Sequence, residues 1–138
     1  SDNSTSLVFT EHVLEHVNID EGKKVLKEFH RILKRGGIAR IVVPDLDLCC
    51  DAFIKRKTSW FNKVDDNFPT AGMGFNSIFY NHFHRYIYDF DTLKFMLKEA
   101  GFKTIKKLSF NESDHLDLKI DNSDESRQLV SLYIEAIK

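Results

Sequence analysis

The segment Ile38-Ala39-Arg40-Ile41-Val42-Val43 is almost continuously apolar and mostly β-branched, and Pro44 follows it. Such a run suits a parallel strand covered on both faces, since alternation is required only where one face meets water. Proline cannot donate to a ladder, so Pro44 ends it. Upstream, Val25, Leu26, Phe29, Ile32 and Leu33 fall on one helical stripe, with Asp20 placed to cap the helix. Lys34 and Arg35 suit the negative end of that helix, and Gly36 can take the left-handed closing conformation. Before it, Leu7 to Phe9 form a short β-type run leading into Thr10-Glu11-His12-Val13-Leu14-Glu15-His16, which has helical character. Strand, helix, strand in this order is a βαβ unit, with parallel strands and a ligand crevice outside their carboxyl ends.

A further helix is expected from about Leu46 to Lys57, followed by an irregular stretch from Thr58 to Tyr88 that holds nine aromatic residues, Trp60 and Phe61 among them. So long a connection implies a role, either packing a subdomain or lining a substrate pocket, with Gly72 and Gly74 allowing turns. Asp89 can cap a second amphipathic helix carrying Phe90, Leu93, Leu97 and Ala100 on one face, and Gly101 ends it. Lys103 to Phe110 reads as a strand and 111–128 as a polar connection. Leu129 to Ile137 reads as a final half-buried strand, since Leu132, Ile134 and Ala136 alternate with Tyr133 and Glu135.

A chain of 138 residues with 42% hydrophobic and 30% charged residues should form one domain around one core. Its 20 basic and 21 acidic residues nearly cancel. Nothing therefore points to a nucleic acid or a membrane surface as partner, and a neutral or small partner is expected. No apolar run approaches the roughly 20 residues of a membrane span, and the polar start lacks the regions of a signal peptide, so a cytoplasmic location is expected. Cys49 and Cys50 are neighbours and cannot staple distant segments; they read as buried or half-buried free thiols, with a vicinal redox pair as the alternative.

The phrases Glu11-His12-Val13-Leu14-Glu15-His16, Phe29-His30-Arg31-Ile32-Leu33-Lys34-Arg35-Gly36-Gly37, Val43-Pro44-Asp45 and Leu97-Lys98-Glu99-Ala100-Gly101-Phe102 resemble, in order and spacing, successive motifs of class I S-adenosylmethionine (SAM)-dependent methyltransferases. The closing Ser131 to Lys138 is similar to the last strand of one subgroup. The resemblance spans nearly all of this chain but only the second half of the family's domain. It implies an α/β, Rossmann-like three-layer sandwich with a mostly parallel sheet. The segments here would be the fourth to seventh strands of the order 3-2-1-4-5-7-6, the last of them antiparallel. The family's GxGxG-type loop and the acidic residue that holds the ribose belong to its first half and have no counterpart in this sequence. Leu7 to Phe9 would lack its neighbouring strand, and an apolar strand with a bare edge invites association. Self-association, or an N-terminal half covering that edge, is therefore expected.

Methyl transfer from a sulfonium is an in-line displacement that needs chiefly orientation and exclusion of water, helped in some cases by a base. By resemblance, Thr10, Glu11 and His12 border SAM; taken alone they simply begin a helix, with Thr10 as its cap. Pro44, Asn81 and Tyr86 are expected to face the acceptor, a small molecule or a glycan-type compound. Asp45, His82 and His84 are the catalytic candidates, a histidine there being able to act as base near neutral pH. Asp45 equally suits a helix cap, and the two histidines equally suit surface or packing roles. His12-Val13-Leu14-Glu15-His16 also matches the HxxEH pattern of zinc peptidases, but the same letters are ordinary in the methyltransferase motif, and no metal is assigned. The function implied is a SAM-dependent methyltransferase represented by its acceptor-side half. The alternative is a non-catalytic remnant or interaction module without a cofactor site.

Overall fold

A computed structural model describes residues 1–65 and 67–138. Strand β1 (Thr5–Glu11) leads through a 3-10 turn (Leu14–His16) into helix α1 (Ile19–Ile32), which returns the chain to strand β2 (Leu33–Pro44). The two strands are parallel, Leu7 beside Ile38 and Glu11 beside Val42, as the βαβ reading requires. Helices α2 (Leu46–Ile54), α3 (Thr58–Val64), α4 (Ala71–Tyr80) and α5 (Phe90–Ala100) follow, then strand β3 (Thr104–Leu108), helix α6 (Glu125–Val130) and strand β4 (Ser131–Ile137). The sheet has the order β1-β2-β4-β3, with β4 antiparallel to both of its neighbours. This is the expected 4-5-7-6 arrangement, in a mixed α/β, Rossmann-like fold. No described helix is long and apolar enough to cross a membrane.

Several local expectations are corrected. Thr10 is a strand residue paired with Ile41 rather than a helix cap, and 10–16 contributes only one 3-10 turn. The cap of α1 is Asn18, whose side chain accepts from Glu21 N at 2.9 Å while Glu21 accepts from Asn18 N at 3.0 Å. That reciprocal pair satisfies two of the amides a helix start leaves open, so it displaces Asp20 from the role. Helix α1 ends at Ile32, and Leu33 to Gly37 already belong to β2. Gly36 does take a positive φ of 77°, but as a kink within the strand, where Gly36 N donates to Lys138 O. Two stretches read as coil or strand are helical: α3 and α4 occupy most of 58–80, and α6 precedes β4. Gly72 and Gly74 lie inside α4 and make no turn. A Cβ at Gly74 would stand 2.4 Å from Phe61 Cβ, so glycine here permits the close approach of α3 to α4.

One core cluster lies between the sheet and the pair α1 and α5. Leu26 meets Leu93, Met96 and Leu97 there, above Ala39, Ile41 and Val43 of β2 and Leu132, Ile134 and Ala136 of β4. Strand β4 is buried from Ser131 to Ala136 instead of half-buried, because it sits between two strands. On the opposite face, Arg40 and Glu135 are buried beneath the 109–121 connection. A second cluster is made by helices without strand residues: Cys49, Ala52, Phe61, Ala71, Ile78 and Val130, with Ile87. Phe53 and Phe75 stack at 4.8 Å, and Phe79 meets Phe75 edge-on at 5.1 Å, so aromatics of the 58–80 segment largely pack this subcore. Cys49 is buried within it, and burial pushes its thiol up to about 12, while Cys50 is half-buried; both are free.

Asp89 caps α5 as expected, accepting from Thr92 N at 2.7 Å, and Gly101 closes the helix at φ 108°. Hydrogen bonds from Thr92 hold the Asp89 carboxyl below its ordinary 3.8. A carboxyl lowered by folding stabilises above the unfolded value and loses that stabilisation as pH falls through the folded one. Asp89→Ala is therefore expected to cost about 1 kcal/mol near neutral pH. The difference from wild type in urea unfolding should shrink as the pH is taken below 3.8.

Candidate functional site at the carboxyl ends of the parallel strands

The ends of β1 and β2 that point the same way carry the site. Beyond β1 the chain turns at His12, whose φ is 49° and whose amide donates to Val42 O at 2.9 Å. Beyond β2, Asp45 N donates to Val130 O at 2.8 Å, and Leu46 N donates to Tyr88 O at 2.9 Å. The segment 84–88 is thereby drawn across the strand ends. A second tie fixes it further, since Glu15 O accepts from Arg85 N at 2.7 Å and from Tyr86 N at 3.2 Å. His84 is consequently held over the 3-10 turn that bears Glu15 and His16.

These ties leave a cleft of about 530 Å³. Its polar lining includes His12, Glu15, His16, Asp65, His82 and His84, with Ser126 and Arg127 from α6; Pro44, Ile78, Phe83 and Val130 supply apolar wall. His84 is half-buried and donates through Nδ1 to Ile78 O at 2.5 Å when that nitrogen carries the proton, which leaves Nε2 as an acceptor. Burial holds the His84 imidazole below its ordinary 6.5; Glu15 acts the other way, and His16 and His82 add to the lowering. The His16 and His84 rings stand 5.0 Å apart, and those of His82 and His84 5.9 Å. His82 also pairs with Asp65 at 3.2 Å.

Glu15 is fully buried, and neither carboxylate oxygen has a hydrogen-bond partner among the described residues. The nearest imidazole nitrogens are His12 Nδ1 at 3.3 Å and His16 Nε2 at 3.8 Å. Ser131 Oγ donates to Arg127 O at 2.6 Å and so receives the proton of His12 Nε2, 2.8 Å away. His12 Nδ1 can then donate toward Glu15 only when the imidazole is charged. A buried carboxylate without donors is costly, so this arrangement calls for a cation.

Of the residues singled out from sequence, the structure gathers His12, Pro44, His82 and His84 around this cleft. The others do not line it. Thr10 is held in the ladder with β2, and the Glu11 carboxylate accepts from Asn122 N at 3.1 and 3.2 Å. Asp45 is buried, caps α2 by accepting from Asp47 N at 2.9 Å, and pairs with Lys107 at 3.4 Å. The Asn81 amide donates to Asp65 Oδ2 at 3.1 Å, and Tyr86 packs against Tyr88 at 4.8 Å beside a smaller hollow. Sequence reasoning passed over Asp65, Ser126 and Arg127 and underrated Glu15 and His16. The available signal for Glu15 was an acid set between two histidines in an otherwise apolar phrase.

Residues 1–41 match a family described as a methyltransferase domain. No curated protein matches the chain. Among solved structures, the fold is similar to a SAM-dependent methyltransferase from Archaeoglobus fulgidus, at 18% identity and a TM-score of 0.58, over 99% of this chain and 61% of that one. It is also similar to a SAM-dependent methyltransferase from Thermotoga maritima, at 18% identity and a TM-score of 0.56, over 100% of this chain and 58% of that one. The chain thus spans about three fifths of the length of these two structures. It matches a methyltransferase-domain family through residues 1–41 and is similar in fold, along nearly its whole length, to these SAM-dependent methyltransferase structures.

Proposed function

We propose that the chain is the acceptor-side half of a SAM-dependent methyltransferase acting on a small-molecule or glycan-type acceptor. The observation that carries this reading is the cleft at the carboxyl ends of two parallel strands, where α/β sheets of this kind bind ligands. The residues present fit one side of such a site. His12 and Pro44 stand at the strand ends, while the sequence has no GxGxG loop to cradle the rest of the cofactor. Bound SAM would supply an electrophilic methyl group. This chain's part is to orient the acceptor and exclude water, with Phe83, Ile78 and Val130 as apolar wall. While no ion occupies its Nε2, His84, oriented by Ile78 O and neutral through burial, offers that nitrogen to take the proton of an acceptor hydroxyl or amine. The strands that complete the sheet beyond β1 would come from an N-terminal half or a second chain, because β1 pairs only with β2 among the described residues.

Calorimetric titration of the folded chain with SAM and with its demethylated product, S-adenosylhomocysteine, tests the reading. Saturable heat at one ligand per chain is expected. The absence of heat from folded chain would instead favour the interaction-module reading, which the lack of a glycine-rich loop supports.

A further inference from the structure

We propose that Glu15, His16 and His84 form a binding site for one divalent transition-metal ion of the zinc class, open to the cleft. Each of the three offers one ligand atom, and these atoms lie within 4.8 Å of one another. Ligands at roughly 2.0–2.2 Å from a tetrahedral zinc stand roughly 3.3 Å apart, so side-chain movements on the order of 1 Å close the site.

Two features point to a cation, and a third holds the ligand-bearing segments in place. The first is the fully buried Glu15 carboxylate, whose two oxygens have no hydrogen-bond donor among the described residues. The second is the orientation of His84, whose Nδ1–H bonds to the backbone carbonyl of Ile78. Metal-bound histidines are usually held in this way, with the other ring nitrogen turned to the ion. The third is the pair of backbone bonds from Arg85 N and Tyr86 N to Glu15 O, which clamp the two ligand-bearing segments together.

The donor set decides the class of ion. Two imidazoles and one carboxylate suit zinc and its neighbours, whereas magnesium and calcium prefer oxygen alone. Three protein ligands leave a coordination position free toward the cleft, as in metal sites that act on a bound molecule. The pair in this site is not the one the HxxEH letters suggest. His12 turns its Nε2 to Ser131, and the second imidazole comes instead from His84. The inference stands on these residues and does not depend on SAM binding.

Metal-stripped chain is titrated with Zn²⁺ by calorimetry, beside the variants Glu15→Gln, His16→Gln and His84→Gln and the distant controls His30→Gln and His115→Gln. One ion per chain is expected for wild type and both controls, with affinity reduced by about 100-fold in each of the three site variants. His16 is 40% exposed on a short turn, so its replacement leaves folding intact and keeps the test decisive if a buried variant unfolds. Absence of a one-to-one site in wild type would overturn the proposal, as would unchanged affinity in His16→Gln. Failure to bind SAM would bear only on the methyltransferase reading.

Discussion

Arg40→Ala is expected to destabilise the chain by about 3–5 kcal/mol, the largest effect of any single replacement considered. The guanidinium is fully buried on the sheet face opposite α1 and α5. Its Nε donates to Asp121 Oδ1 at 2.7 Å and one terminal nitrogen also reaches Asp121 Oδ2. The other terminal nitrogen donates to Glu135 Oε1 at 3.1 Å and to Glu112 O at 2.9 Å. Burial opposes the charge on Arg40, but hydrogen bonds and attraction from Asp121 and Glu135 outweigh it, and its pKa is raised. Removing the cation leaves two buried carboxylates without their counter-charge, which costs far more than the lost contacts alone. Asp121 also ties the connection down, accepting from Asn111 N at 2.7 Å while Asn111 Oδ1 accepts from Asp121 N at 3.0 Å. Urea unfolding followed by circular dichroism measures the loss. The triple replacement Arg40→Met, Asp121→Leu, Glu135→Leu should recover most of it, because it removes all three charges of this network at once. A single variant as stable as wild type would show that the network holds nothing together.

Leu26→Ala should cost about 2–5 kcal/mol in the same measurement. Helix α1 has fourteen residues, yet Leu26 is its only large apolar side chain that is fully buried. Leu26 lies in the cluster with Leu93, Met96 and Leu97, so truncation opens a cavity between α1 and α5. The helix carries the chain from β1 to β2, and loosening it loosens the crossover that sets those strands parallel. Val25 and Phe29 are only half-buried on its flanks and leave less void when shortened. A Leu26→Ala loss smaller than that of Val25→Ala would mean that α1 docks by some other residue.

The βαβ unit was legible because its signals are local and redundant. A β-branched run ending in proline, a helical stripe and a short apolar strand each point to one element, and each element formed near its expected place. The place of β4 between β2 and β3 came from the resemblance, since nothing in Ser131 to Ile137 itself names its neighbours. The two helices in 58–80 were not legible. Their apolar residues face a separate helical subcore, and Gly72 and Gly74 obscure the pattern; Gly74 is there for contact with Phe61 across space, which no local rule detects.

By itself, the sequence determined the order strand, helix, strand in the βαβ half and where α5 starts and stops. These follow from side-chain period, capping chemistry and backbone restrictions, which act within a few residues. Tertiary structure alone decided that Arg40, inside an apolar strand, meets Asp121 and Glu135, and that Glu15 and His16 share a wall with His84. The reason is physical: burial turns a charge into a demand for a partner, and the folded chain can supply that partner from any distance along its length.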